Sequence, residues 1–215
     1  MSRKIEIIYS TTNIHKRDEI DATCKSSIVV LPDGSTARLG DLFEFKFRDG
    51  EPMEPLERDL EQMVRHKASS AYRNLLVPCI VEHAGLIFED HLRENYPGGL
   101  TQPMWDALGA ERFISETNGR GRRVVARAVI GYCDGLNVRC FRGETWGTLA
   151  DYPRGKREFY WDTIFVPENE TATYAELCGD PNHGLQRKIA ISQSTKALLE
   201  FLRYRLRVGA PALFP

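Results

Sequence analysis

Two alternating apolar runs, Val124–Cys133 and the stretch up to Ala150, are joined across Asp134-Gly135. An Asp-Gly pair between alternating runs is a strong hairpin signal, so this part of the chain must pair antiparallel. Upstream the pattern differs. Ile5, Ile7 and Ile8 form a short strand ending in Tyr9-Ser10-Thr11-Thr12-Asn13, and a polar helix starts near Ile14. Strand followed by turn and helix favours parallel pairing. A chain that combines both is expected to build a mixed, twisted sheet flanked by helices, an α/β fold with a second small lobe.

The remaining elements fit around that frame. Ser26 to Leu31 reads as a second strand, stopped by Pro32-Asp33-Gly34. Ser35 to Phe47 reads as a strand pair or an inserted loop, with Phe43, Phe45 and Phe47 on one face. Leu56, Leu60, Met63, Val64, Ala68 and Ala71 have the spacing of a long amphipathic helix over Glu54–Leu75. Val77 to Val81 reads as a buried strand ending in Glu82-His83-Ala84-Gly85-Leu86. Met104 to Glu116 reads as a helix, Ile164 to Val166 as a strand, and Arg187 to Leu206 as a terminal helix with Ile191, Leu198, Leu199, Leu202 and Leu206 inward. Residues 1–208 are expected to form one domain, with an insertion near 32–50 and a short apolar tail over 209–215.

Charge narrows the partners. Lysine and arginine number 29 against 30 aspartates and glutamates, so no global field favours nucleic acid or a membrane, and any phosphate site must be a local cluster. With no spanning apolar run and no apolar signal region after Met1, a cytoplasmic protein is expected. Five scattered cysteines, without C-x-x-C spacing, read as structural thiols.

Five segments carry candidate chemistry. Thr11, Thr12 and Asn13 stand where a helix begins, so its free N–H groups favour an anion, with Lys16 one turn on; equally, Asn13 or Thr12 reads as a simple cap. Lys67, late in the long helix, is followed by small residues that let the helix pack closely and still present one cation; equally, it reads as a solvated surface lysine. Glu82 and His83 end a buried strand, where α/β sheets place ligands, or form a structural pair. Phe159-Tyr160-Trp161-Asp162 places π faces beside a carboxylate, which suits stacking on a nucleobase and reading its edge, or filling a core. Lys188-Ile189-Ala190-Ile191-Ser192-Gln193-Ser194 joins a cation to three polar groups.

Together and in order, these segments resemble the inosine triphosphate pyrophosphatase (Ham-type) family. The resemblance runs from Ile5 to about Leu202. It rests on Thr11-x-Asn13-x-x-Lys16, Lys67-Ala68-x-x-Ala71, Glu82-x-x-Gly85-Leu86, Phe159-x-Trp161-Asp162 with Phe165-x-Pro167, Thr173-Tyr174-Ala175-Glu176 and Lys188-x-Ala190-x-Ser192. It implies a homodimer, each chain with two lobes and a nucleotide cleft between them, that uses Mg2+ to cleave deaminated purine nucleoside triphosphates to monophosphate and pyrophosphate. By that resemblance Thr11, Asn13, Lys16 and Lys67 meet the triphosphate. Phe159 stacks on the base, Trp161 walls the pocket, and Asp162 reads the base edge. Lys188, with Gln193 and Ser194, also contacts the nucleotide. Glu54 and Glu82 are the implied metal ligands, with Glu51 and Glu57 as alternatives to Glu54.

The sequence departs from the family pattern at three places. His83 stands where the family has the acid that serves metal and water, and it becomes the candidate base. Gln193-Ser194 replaces the His-Arg of the base reader, and Gln62 replaces a glutamate of the long helix. A clamp kept while a catalytic acid is lost implies first a sensor that binds dITP or ITP with weakened hydrolysis. Such a role exists in Kongming-type antiphage systems, where the partner is a Sir2-like NADase. The alternative expectation is an active Mg-dependent ITP/dITP/XTP pyrophosphatase.

Overall fold

The computed structural model describes residues 4–31, 33–117, 121–156, 159–182 and 184–208. The hairpin forms as expected. Strand β6 (Arg123–Cys133) pairs with β7 (Val138–Leu149) from Arg123↔Thr148 to Cys133↔Val138. Asp134 Oδ1 closes the turn by accepting from the Leu136 and Asn137 N–H groups at 2.9 and 2.7 Å. Gly135 takes φ +101°, where only glycine sits without strain.

Strands β1 (Ile5–Ser10), β4 (Phe43–Arg48), β5 (Cys79–Phe88) and β8 (Phe165–Pro167) complete a six-stranded sheet in the order β4-β1-β5-β6-β7-β8. β1 runs parallel to β4 and β5, while β5 to β8 pair antiparallel. The sheet is therefore mixed, as the two sequence patterns require. β2 (Ile28–Val30) and β3 (Thr36–Arg38) form a separate two-stranded ribbon, followed by the four-residue helix α2 (Leu39–Leu42). Phe43, Phe45 and Phe47 do share a face, joining one core cluster from β4.

Period-two alternation sends neighbouring residues to opposite faces of a strand. Ile7, Tyr9, Ile80 and Ile130 pack under α1 (Ile14–Ser26) and α7 (Gln193–Val208), against Ile20, Leu198, Phe201 and Leu202. Ile8, Val81 and Val129 pack under α3 (Leu60–Leu75), against Val64, Ala68 and Ala71. A third cluster joins Leu86, Phe88, Phe113 from α4 (Thr101–Thr117), Trp161, Phe165 and Tyr174 at the other end of the sheet. The helices α5 (Tyr174–Cys178) and α6 (Leu185–Ile191) close that end. The five cysteines are free thiols. Among the described residues no helix is long and apolar enough to cross a membrane.

Three elements differ from the sequence reading. The long helix starts at Leu60, not Glu54, because Asp59 caps it by accepting from the Glu61 and Gln62 N–H groups. Pro55 biases Glu54 toward extended backbone, and Leu56 is left 79% exposed. β5 does not stop at Val81 but pairs with β6 as far as Phe88, so Glu82 and His83 lie inside a strand rather than at its end. The terminal helix is two helices, broken at Ser192 (φ −70°, ψ 145°), whose Oγ accepts from the Thr195 N–H of α7 at 3.1 Å. The aromatic segment is a 3-10 turn, Tyr160–Thr163, preceding β8. Residues 209–215, read as a tail, lie outside the described residues.

Candidate functional site

The ladder between β1 and β5 holds at two positions only, Ile8↔Cys79 and Tyr9↔Ile80. Beyond them β1 turns into α1, while β5 continues without a β1 neighbour. The opening so made is a cavity of about 350 Å³. Pleating presents Glu82 on the α1/α7 side and His83 on the α3 side, so the cavity wraps the exposed edge of β5 and receives side chains from both layers. It is lined by Thr11, Asn13, Lys16, Glu54, Lys67, Glu82, His83, Phe159, Trp161, Lys188, Gln193 and Ser194, drawn from segments up to 183 positions apart in the chain. Asp162 stands behind this wall, in an adjoining cavity of about 230 Å³ that shares Glu19, Phe159 and Lys188 with the first.

One end of the cavity concentrates cations. Lys16 Nζ and Lys67 Nζ donate to the same atom, the Glu82 carbonyl oxygen, at 3.2 and 3.1 Å. Two ammonium groups within a hydrogen-bond length of one atom repel each other unless anions lie close. Glu82 and Glu54 supply them. The Glu82 carboxylate accepts from Tyr9 Oη at 2.6 Å and Ser194 Oγ at 2.8 Å, with Lys16 Nζ at 3.6 Å. Burial alone would raise the Glu82 carboxyl; Lys16, the two hydroxyl donors and Lys67 together hold it below its ordinary value. Glu54 pairs with Lys67 and stands 3.7 Å from His83 Nδ1. It too is held low, since Lys67, His83 and Lys16 overcome burial. Burial and Lys16 lower Lys67.

His83 is the unusual member. Burial, then Lys67, push it down to about 4, while Glu54 and a weak contact to the Gly99 backbone pull the other way without prevailing. It is therefore neutral near pH 7, with Nε2 buried and without a hydrogen bond of normal geometry. A neutral imidazole with a free ring nitrogen is a base in form, but a weak one.

The other end is aromatic and acidic. Lys188 donates to Asp162 Oδ2 at 2.5 Å and pairs with Glu19 Oε1 at 2.7 Å. Its Nζ also stands 4.9 Å from the Phe159 ring centroid and 5.4 Å from that of Tyr174. Burial would lower Lys188, but Asp162 and Glu19 raise it, so the cation is fixed. Burial pushes Asp162 up to about 6 despite Lys188. His15 meets Phe159 edge-on at 5.3 Å. Trp161 is a buried wall, packed on Phe165 and Tyr174. Gln193 accepts from Tyr174 Oη at 3.0 Å. Gly143 makes this approach possible: a Cβ there would lie 2.0 Å from the Gln193 carbonyl oxygen.

The cap reading of the first turn is realised. Asn13 caps α1 with its side-chain oxygen, accepting from the His15 and Lys16 N–H groups at 2.9 and 3.3 Å. That oxygen is therefore engaged by its own helix, while Thr11 and Lys16 face the cavity. Thr173 and Glu176 form a capping box for α5, a structural task that also seats Tyr174.

Any magnesium ligands here would come from the carboxylates. The two cations and two anions at this end, Lys16, Lys67, Glu54 and Glu82, sum to zero. Among the described residues no three ligating side chains converge into a closed metal cage. Glu82 has both oxygens engaged, whereas the Glu54 side chain is 43% exposed. Such a donor set fits magnesium held by one or two carboxylates together with phosphate oxygens.

Several cavity residues were not singled out from sequence. Glu19 is the most important, since it completes the Lys188 pair; its position three residues after Lys16, hence on the same helix face, was the available signal. Ser10, whose buried Oγ lacks a hydrogen-bond partner, is another.

The comparisons agree on one family. The Ham1 family model matches residues 7–204. The dITP/XTP pyrophosphatase of Methanopyrus kandleri is 35% identical over 147 residues, covering 67% of this chain and 74% of that protein. That of Hyperthermus butylicus is 28% identical over 206 residues, covering 95% and 97%. A HAM1 protein from Coxiella burnetii has the same fold, with a TM-score of 0.69 at 22% identity, covering 95% of this chain and all of that one.

Proposed function

We propose that this chain, which belongs to the Ham1 family, hydrolyses deaminated purine nucleoside triphosphates to monophosphate and pyrophosphate. The reading rests chiefly on one arrangement: Lys16 and Lys67 converge on the Glu82 carbonyl at one end of a cavity whose other end holds Phe159 and Lys188, with Asp162 behind them in the adjoining cavity. Those ends match the two ends of a nucleotide. Relatives named dITP/XTP pyrophosphatase support this reading over a purely sensing one.

On this reading Lys16 and Lys67 exchange part of their pairing with Glu82 and Glu54 for phosphate oxygens, with Thr11 beside them. Magnesium, when bound, supplies charge neutralisation of the phosphates, and Glu54 is the residue that holds it. Lys188 donates to a 6-oxo group, and Asp162 accepts from a ring N–H. Phe159 offers its ring for stacking, and Trp161 fixes the back wall. His83, through the Nδ1 that faces Glu54 rather than the buried Nε2, takes the proton from the attacking water, and Glu54 stabilises the imidazolium that results.

The test is product analysis. Purified protein with dITP and magnesium is expected to yield dIMP and pyrophosphate in equal amounts. Release of orthophosphate in place of pyrophosphate would reject the reading.

A second reading is favoured by His83 itself. An imidazole held at about 4 is a poor base at neutral pH, and it occupies the position after Glu82 where the family carries an acid. Binding of dITP or ITP with little turnover, relayed to a partner protein, is then the function. Tight binding without turnover in the wild type, and turnover gained in His83→Asp, would select it.

A further inference from the structure

We infer that the chain binds a second ligand away from the nucleotide cavity: a small monovalent anion such as chloride, held by Arg205 and Tyr132 where β1 and β5 part. Arg205 stands in the last turn of α7 and is 3% exposed. A guanidinium keeps its charge in any protein, and a buried charge is costly without a counter-charge. Its one hydrogen bond among the described residues runs from Nη1 to Tyr132 Oη at 3.2 Å, a neutral partner. Its Nε is buried without an acceptor. The Nε–Nη2 edge, half of the fork with which arginine grips anions, is therefore unused. Tyr132 Oη accepts from Arg205, and burial raises the phenol, so it keeps a proton of its own to donate.

Beside these donors lies a cavity of about 30 Å³, lined by Arg205 and Tyr132 with Glu6, Ile8, Pro78 and Cys79. β1 and β5 pair only at Ile8↔Cys79 and Tyr9↔Ile80. The nucleotide cavity opens past one end of that ladder, and the small cavity lies at the other. The carboxylates of this neighbourhood are committed elsewhere. Glu6 pairs with Lys46, and Asp134 accepts from the Leu136 and Asn137 N–H groups. Cys79, pushed up to about 12 by burial, is a neutral thiol and adds no charge. One water needs about 10–15 Å³, so the space admits one small ion and excludes a triphosphate. A water there would leave the guanidinium charge unbalanced. A monovalent anion balances it and accepts from both residues.

The experiment needs no nucleotide. Thermal melts of the wild type are compared in sodium chloride and sodium gluconate at equal ionic strength, which cancels screening; gluconate is too large for the cavity. Chloride at ten times its Kd is expected to raise Tm by about 3–6 °C. Arg205→Met and Arg205→Lys should each lose most of that shift, the lysine keeping the charge but not the fork. Exchanging a buried unpaired charge for an apolar side chain of similar length should not prevent folding. Equal shifts in the wild type and both variants overturn the inference. Crystals of the wild type soaked in sodium bromide give a readout that needs no variant. An anomalous peak beside Arg205 Nε is expected, and water density or nothing at that place overturns the inference. Either failure leaves the nucleotide reading intact.

Discussion

Replacing Lys67 with methionine keeps the length of the side chain and its place on α3, but removes one of the two convergent cations. The fold should tolerate this. Lys16 Nζ still donates to the Glu82 carbonyl at 3.2 Å, and the half-exposed Glu54 regains water. Lys67 is also a charge already penalised by burial. The net change in stability is expected to stay within about 1 kcal/mol. Ligand binding should suffer far more. A charge-assisted hydrogen bond contributes about 1.5–3 kcal/mol, which corresponds to about 10- to 150-fold in affinity. Calorimetry with dITP and magnesium should register that loss, while deoxyinosine, which lacks phosphates, should bind the variant and the wild type alike. Equal losses for nucleotide and nucleoside, or no loss for dITP, would refute the placement of the phosphates at Lys67.

Asp162→Asn replaces an acceptor by a group that also donates, so the ranking of ITP, GTP and ATP in competition assays should change; an unchanged ranking rejects Asp162 as a base reader. His83→Ala should cut pyrophosphate release by about 100-fold or more if the imidazole is the base, and an undiminished rate assigns that task elsewhere. His83 also predicts a pH dependence of stability. Its folded value of about 4 lies below the unfolded 6.5, so the unfolded chain binds more protons between them. The His83 contribution is then complete above about pH 6.5 and falls with acidification, by about 2 kcal/mol between pH 7 and pH 5. Asp162, pushed up to about 6, acts in the opposite direction over the same range, so the difference in urea midpoints between wild type and His83→Asn carries the test; a difference that stays constant from pH 7 to pH 5 would contradict the assignment.

Much of the frame was legible because its signals are local. The β6–β7 hairpin is encoded by alternation around Asp134-Gly135, and the β1–α1 turn by the Asn13 cap. Boundaries set by a single polar side chain were less visible. Asp59 and Ser192 each end or begin a helix by hydrogen bonding, and nothing in apolar spacing distinguishes them from surface residues. β5 was read short because Glu82 and His83 interrupt its apolar run. They sit inside a strand because Tyr9, Ser194, Lys16 and Glu54 partner them across the cavity, and those partners come from other parts of the chain. For the same reason Glu19 was missed: its importance lies in a contact with Lys188, 169 positions further along, not in its local sequence.

The most direct measurement is a structure with a non-hydrolysable deoxyinosine triphosphate analogue. The purine ring is expected against Phe159, with its edge toward Asp162 and Lys188, and the phosphates between Lys16 and Lys67. Phosphates found away from both lysines, or a base lodged outside the cavity that Phe159 and Lys188 line, would contradict the account.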